Sequence, residues 1–183
     1  MKDKLVFMIG AVVVIAASLY FATRDVTEQK SFGIESGPHE PAPEFALTDL
    51  KGQKVDLANY KGDVVLVDFW ATWCDPCRAE IPHFVELQDK YRAQGLRVVG
   101  ISMDDGADPV GEFSEKYKMN YPVAMGSSKL AEKFGGVLGL PVSFLIGRDG
   151  HIYARHVGET DASIFENEIK RLLARPAGSA SGS

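Results

Sequence analysis

The chain is poor in several features that define large protein classes. It contains only two cysteines, Cys74 and Cys77, so no framework of disulfides can join distant segments. Its 20 Lys and Arg residues are scattered among 25 Asp and Glu residues, and the formal net charge is -5. With no basic stretch and a pI near 5.4, binding to nucleic-acid phosphates is not expected. The sequence also has no internal repeat, and its two cysteines must act as a local pair.

One long uncharged run lies at the amino end. Residues 5–22 are 18 consecutive residues without a charge, and as a helix they would be about 27 Å long, close to the roughly 30 Å hydrocarbon core of a bilayer. Lys2 and Lys4 precede the run, which favours a cytoplasmic amino end. We therefore expect residues 1–22 to form a membrane anchor. A cleaved signal peptide remains the alternative, because Ala16 and Ser18 offer small residues for cleavage. Both place the rest of the chain in an oxidising compartment.

The remaining chain divides into a linker, one domain and a tail. Residues 23–42 contain Gly33, Gly37, Pro38 and Pro41 and show little periodicity, which is typical of a flexible linker. Residues 175–183 consist mainly of Gly, Ser, Ala and Pro, and we expect them to be disordered. Residues 43–174 then form a single domain of ordinary size.

The pattern of this domain predicts an α/β fold. Strands alternate with helices and a hairpin and helix close the chain, which indicates a central mixed sheet with helices on both faces. We expect two short strands within 44–57 and further strands at 64–70, 96–102, 121–125, 142–146 and 152–156. We expect helices from Asp75-Pro76 onward and at 109–117, 129–134 and 162–173.

The cysteine pair occupies the junction between a buried strand and a helix. Pro76 suits the first turn of that helix, which places Cys74 beside unpaired backbone N–H groups that favour an anion. We expect Cys74 to be exposed, to form a thiolate readily and to attack a partner's disulfide. Cys77, one turn later and more buried, would then resolve the mixed disulfide.

Three structural roles for the pair are less favoured. A zinc site needs four ligands, and the chain has no second cysteine pair and no convincing ligand spacing among His39, His83, His151 and His156. The other two are buried free cysteines with a packing role and a static disulfide, which would close too short a loop to add much stability.

The segment around the cysteines resembles a known family. Residues 67–82, VDFWATWCDPCRAEIP, are similar to the active-site segment of the TlpA/ResA-like membrane-anchored thiol-disulfide oxidoreductases of the thioredoxin superfamily. The similarity extends from Pro43-Glu44-Phe45 through Gly139-Leu140-Pro141 to the last helix. It implies a thioredoxin-like fold whose redox group is a Cys74–Cys77 disulfide, with no other cofactor and no metal.

The resemblance also implies roles for nearby residues. Pro141 matches a cis-proline that aligns the partner's chain, and Glu80 matches an acid that tunes the cysteines or moves protons. From position alone, Glu80 would be a solvated helix charge. Asp68 matches the buried acid of thioredoxin, where many TlpA-like sequences have asparagine; burial would raise its pKa and suit it to take the proton of Cys77. Trp73 and Trp70 are equally suited to the core and to a recognition surface.

The family also implies partners and a location. Its members exchange electrons with protein thiols and disulfides, apocytochrome c among them, and receive electrons from a membrane thiol-disulfide relay. They are single-pass proteins of the bacterial inner membrane whose domain faces the periplasm or cell exterior. Asp75 should oppose the Cys74 thiolate, which favours a reductase.

Two other functions remain open. A thiol peroxidase on a related fold has proline and threonine where this chain has Val67 and Ala71. A copper-delivering module would need additional histidine or methionine ligands beside the cysteines, for which His83 is a weak candidate.

Overall fold

The computed structural model describes residues 39–176. Their main feature is a five-stranded sheet in the order β5-β4-β3-β6-β7, accompanied by a two-stranded sheet of β1 and β2. Strands β3, β4 and β5 are parallel, and β6 and β7 are antiparallel to their neighbours. The strands are β1 Ala46–Thr48, β2 Lys54–Asp56, β3 Val64–Trp70, β4 Leu96–Ser102, β5 Val123–Met125, β6 Val142–Ile146 and β7 Ile152–Val157. The sheet is therefore mixed, as predicted.

Four α-helices cover the two faces of this sheet. They are α1 Asp75–Tyr91, α2 Ala107–Lys116, α3 Ser128–Lys133 and α4 Ala162–Leu173. On one face, Leu66 and Trp70 of β3 pack in a core with residues of α1, α2 and α4. On the other face, Val65 and Val67 pack with residues of α3 and with Val55 of β2. All seven residues of β3 are buried because both faces are covered.

The predicted elements are present with small shifts at their ends. The helix expected at 109–117 begins at Ala107, and the strand expected at 121–125 is limited to Val123–Met125. Residues of the predicted linker join the domain where they are described: the Ala42 N–H donates to the Gly150 carbonyl at 2.9 Å, and the Ile152 N–H donates to the Glu40 carbonyl at 2.8 Å.

The predicted membrane anchor lies outside the described residues, as do residues 23–38 of the linker and 177–183 of the tail. Within residues 39–176, none of the helices has the length and apolar character needed to cross a bilayer. Anchor, linker and tail therefore remain predictions.

The register of the sheet aligns polar residues in one row. Asp68 of β3 lies opposite Gly100 of β4 on one side and Ser143 of β6 on the other. Ser143 in turn lies opposite His156 of β7. Because in-register neighbours point to the same face, Asp68, Ser143 and His156 all point to the face covered by α1 and α4.

Candidate active site

The two cysteines form a disulfide at the start of α1. Strand β3 ends at Trp70, and Cys74 is the N-cap residue of the helix that begins at Asp75. The sulfur atoms of Cys74 and Cys77 are bonded, and the Cys77 N–H donates to Cys74 Sγ at 3.3 Å. An anion at Sγ would therefore meet a backbone donor and the positive end of the helix dipole.

The exposure of Cys74 differs from our expectation. Cys74 is 5% exposed and Cys77 is 1% exposed, so both are buried and the prediction of an exposed Cys74 was wrong. The physical reason is the N-cap position, which turns Sγ back toward the N–H groups of its own helix. Cys74 is nevertheless the more accessible of the two.

The neighbours of Cys74 divide clearly between core and surface. Trp73, the residue before it, is 68% exposed, whereas Trp70 is fully buried. Pro76 lies in the first turn of α1 and is partly buried. Trp70 is therefore core filling, and Trp73 offers a large apolar side chain at the rim of the site.

The loop before β6 contains a cis peptide bond between Leu140 and Pro141. Pro141 is buried, and its carbonyl accepts the Gly158 N–H at 2.9 Å. Leu140 packs against both core clusters, one of which contains the two cysteines. The loop implied by the family resemblance thus borders the cluster that contains the cysteines.

Asp68 is a buried carboxyl in the middle of β3. It is 1% exposed, and Ser143 Oγ donates to its Oδ1 at 3.1 Å. The pKa of Asp68 is raised to about 8: burial is the largest cause, the negative charge of Glu80 also raises it, and the Ser143 hydrogen bond lowers it. A carboxyl in this state can hold a proton at neutral pH and exchange it with a thiol.

Glu80 is the second buried carboxyl, three residues after Cys77 on α1. Its side chain is 3% exposed, so the interpretation of Glu80 as a solvated helix charge was wrong. The Thr160 N–H donates to its Oε1 at 2.6 Å, and its Oε2 has no hydrogen-bond partner among residues 39–176. Burial is the largest cause that raises the pKa of Glu80 to about 7; Glu159 also raises it, whereas Thr160 and His156 lower it.

Asp104 is a site residue that the sequence analysis missed. Its Oδ2 accepts the Thr72 N–H at 2.9 Å and the Ser102 hydroxyl at 2.8 Å, and its Oδ1 accepts the Thr72 hydroxyl at 2.6 Å. Two of these three donors belong to Thr72, so Asp104 ties the loop that leads to Cys74 to the end of β4. The signal was present, because Asp104 follows a strand parallel to β3, and the carboxyl ends of parallel strands meet at one edge.

Thr160 was also missed, and no sequence signal could have identified it. Its contribution is a backbone N–H, which every residue except proline carries, and only the folded chain brings that group to Glu80.

Metal ligands are not grouped in the described part of the chain. Within residues 39–176, no set of three or more His, Cys, Asp or Glu side chains is arranged to hold a metal ion.

Known proteins are similar to this chain in sequence and in fold. The model of the AhpC/TSA family matches residues 38–155. Thiol-disulfide oxidoreductase ResA of Bacillus cereus (strain ATCC 10987 / NRS 248) is 32% identical over 171 residues, which cover 93% of this chain and 98% of that protein. ResA of Geobacillus kaustophilus (strain HTA426) is 30% identical over 173 residues, covering 93% and 97%.

A solved structure agrees with these relatives. The thiol:disulfide interchange protein of the thioredoxin family from Chlorobium tepidum TLS superposes with a TM-score of 0.71 at 32% identity, covering 76% of this chain and 100% of that one. The predicted thioredoxin-like α/β fold is confirmed.

Proposed function

Because the chain belongs to the AhpC/TSA family and is a thiol-disulfide oxidoreductase of the ResA type, we propose that it works as a reductase of protein disulfides. The observation that supports this proposal is the Cys74–Cys77 disulfide at the amino end of α1. Both cysteines belong to the core cluster on one face of the sheet, and the buried Asp68 points to the same face. The disulfide is the redox group, and the proposed reaction needs no other cofactor.

The reaction has two exchanges that start from the reduced enzyme. In the first, the Cys74 thiolate attacks one sulfur of the substrate disulfide; a mixed disulfide forms and one substrate thiolate leaves. In the second, Cys77 gives its proton to Asp68 in those molecules whose Asp68 carboxyl is ionised, and the Cys77 thiolate attacks Cys74 Sγ. The Cys74–Cys77 bond forms, the second substrate thiolate leaves, and each leaving thiolate takes a proton from water. Two electrons have passed to the substrate.

The proposed direction of electron flow depends on the charges around Cys74. Asp75 is the first residue of α1, and its carboxylate opposes an anion at Cys74. Its side chain is 90% exposed and lies 3.4 Å from the Arg78 guanidinium, so solvent and Arg78 weaken this effect. Equilibration with glutathione measures the reduction potential of the Cys74–Cys77 pair, which reflects the balance of these charges. A potential below about -200 mV supports a reductase, and one near about -120 mV, as in strong oxidants, contradicts it.

Activity can be tested with insulin as substrate and dithiothreitol as electron source. We expect the wild-type domain to reduce insulin disulfides and Cys74→Ala to abolish the reaction. Cys77→Ala serves as the matched variant, because it keeps the attacking sulfur and should accumulate the mixed disulfide. Consumption of hydrogen peroxide without insulin reduction would instead favour the peroxidase.

The proposed substrates are extracytoplasmic proteins, with the thiols of apocytochrome c as the first candidate and a membrane thiol-disulfide relay as the electron donor. The resemblance of residues 67–82 to the TlpA/ResA-like family supports both partners. Trapping mixed disulfides with Cys77→Ala in membranes should recover these partners covalently. Fusion of a reporter enzyme that is active only in an oxidising compartment tests the proposed location outside the bacterial inner membrane; an inactive reporter on a fusion protein that is produced at full length would contradict it.

The proposed role of Glu80 predicts a pH effect. The pKa of Glu80 is about 7, and above that pH its negative charge opposes a thiolate on the same helix end. Glu80→Gln removes this charge, so alkylation of Cys74 should set in at lower pH than in the wild type. Glu86→Gln, at an exposed position of the same helix, is the control and should leave the curve in place. An unchanged curve for Glu80→Gln would contradict the role.

A further inference from the structure

A second buried acid and base lie beside the two carboxyls, and the reaction above does not use them. His156 Nε2 of β7 lies 2.7 Å from Glu168 Oε2 of α4, with the two side chains 10% and 2% exposed. The imidazole also contacts the Phe165 ring edge to face, with the ring centroids 4.8 Å apart. Such a pair is costly to bury unless it is well satisfied, and its burial next to a redox site calls for a role.

His156 is connected to the active site by the sheet and by the chain that follows it. It occupies the same row as Asp68, with Ser143 between them. Four residues after His156, the Thr160 N–H donates to Glu80 Oε1 at 2.6 Å. The loop after β7 therefore contacts the Glu80 carboxyl through Thr160, and His156 lies near enough for its charge to act on Glu80.

The charges that act on Glu80 come from three elements. Asp68 of β3 and Glu159 of the loop after β7 are acids, and His156 of β7 is a base whose positive form stabilises the Glu80 anion. Glu168 of α4 faces His156. His156 is thus a source of positive charge that acts on Glu80.

The hydrogen bond to Glu168 fixes which nitrogen can carry a proton. With the carboxylate as acceptor, His156 Nε2–H donates to Glu168, and Nδ1 is left to gain or lose a proton. A carboxylate partner also orients the ring.

We propose that His156, oriented by Glu168, is a positioning residue that acts through Glu80 and carries protons between the buried carboxyls and solvent. The proposal rests on the proposed function, because it concerns the proton that Cys77 releases during resolution. That proton passes from Cys77 to Asp68 and Glu80, then from Glu80, whose Oε2 has no hydrogen-bond partner among residues 39–176, to His156 Nδ1. It leaves to water from the His156 side chain, which is 10% exposed. No electron transfer is added to the reaction.

Resolution can be measured separately from attack. Reduced enzyme reacts with the aromatic disulfide DTNB and releases one thionitrobenzoate when Cys74 attacks and a second when Cys77 resolves, so stopped-flow absorbance shows two phases. His156→Gln keeps an amide N–H for Glu168 but cannot take a proton. We expect it to slow the second phase near neutral pH by about threefold to tenfold, less than the loss of a group in direct contact with the proton, and to leave the first phase unchanged.

Two further proteins make the result decisive. His151→Gln is the control, because His151 lies at the far end of the β6–β7 hairpin beside Asp149, and it should behave as wild type. In a Glu80→Gln background, His156→Gln should cause no further slowing, since the two residues act in series. An unchanged second phase in His156→Gln, or equal slowing with and without Glu80, overturns the proposal.

If His156→Gln does not fold, the proposal can still be tested by a measurement on proteins that keep His156. In the NMR titration of the wild type, the His156 ring proton should show an inflection at the pH where Glu80 titrates, and Glu80→Gln should remove it. A His156 curve that is the same in both proteins overturns the proposal. Loss of the first DTNB phase in the wild type would instead contradict the oxidoreductase reaction itself, so the two failures are distinguishable.

Discussion

Replacement of Asp68 with asparagine should stabilise the oxidised protein at neutral and alkaline pH. Asparagine has nearly the size of aspartate, and its carbonyl oxygen can still accept the Ser143 hydroxyl, which lies 3.1 Å from Asp68 Oδ1. What changes is the titration of a carboxyl that is only 1% exposed and lies near the charge of Glu80. The variant therefore isolates the cost of keeping an ionisable group in the core.

The size of the effect follows from the two states of the chain. The unfolded chain loses the Asp68 proton near its ordinary value of 3.8, whereas the folded protein holds it until the pKa of about 8. The contribution of Asp68 to stability is thus fully present below about pH 4 and is lost as the pH rises through about 8. Between about pH 4 and pH 7 this loss extends over about three pH units, which corresponds to about 4 kcal/mol of unfolding free energy. Relaxation of the core reduces the expected loss to about 2–4 kcal/mol.

Urea unfolding of the oxidised proteins at a series of pH values provides the assay. The wild type and Asp68→Asn should be about equally stable near pH 4, and the variant should gain steadily up to about pH 8. Asp75→Asn, which removes a carboxyl that is 90% exposed, is the control and should show no such divergence. A difference that is constant across this range would refute the reasoning, because it could not come from titration of Asp68.

Three further predictions concern recognition and packing. Trp73→Ala should raise KM for insulin and leave the rate with a small disulfide unchanged, since this side chain is 68% exposed; equal losses on both substrates would contradict a recognition role. Gly100→Ala should lower the free energy of unfolding by about 1–3 kcal/mol, because its new methyl group would lie 3.0 Å from a buried indole nitrogen, whereas Gly106→Ala meets nothing within 4 Å. Gln88→Leu should cost about 1–3 kcal/mol in urea unfolding, because the buried Val98 N–H, now bonded to Gln88 at 2.6 Å, loses its acceptor; unchanged stability would show that another group replaces it.

The strands and helices were predictable where the local pattern and the tertiary structure agree. Apolar β-branched residues in 64–70 predicted a buried strand, and the helix predicted at 162–173 is observed as Ala162–Leu173. The ends of α2 shifted because no side chain caps it: its N-cap is Gly106. A helix without a capping side chain leaves little local signal of where it begins.

The candidate site was predictable to the extent that its residues lie in one segment. Cys74, Cys77 and the helix start follow from 73–77, and burial of Asp68 follows from its apolar strand. The burial of Glu80 was not predictable from its helix position, since it depends on the Thr160 N–H, 80 residues away. The same holds for His156, whose partner Glu168 lies on another element. Such pairs depend on long-range packing, which periodicity does not encode.

The hydrogen bonds of Asp104 have a mechanical consequence for the redox cycle. They tie Thr72 to the segment after β4, whereas Cys77 belongs to α1, whose residues Ile81 and Phe84 are buried in the core. The two sulfurs are thus joined covalently through the disulfide and through the short stretch of backbone between them. When the disulfide opens, the backbone, the Asp104 hydrogen bonds and the buried residues of α1 are what hold the two sulfurs near each other.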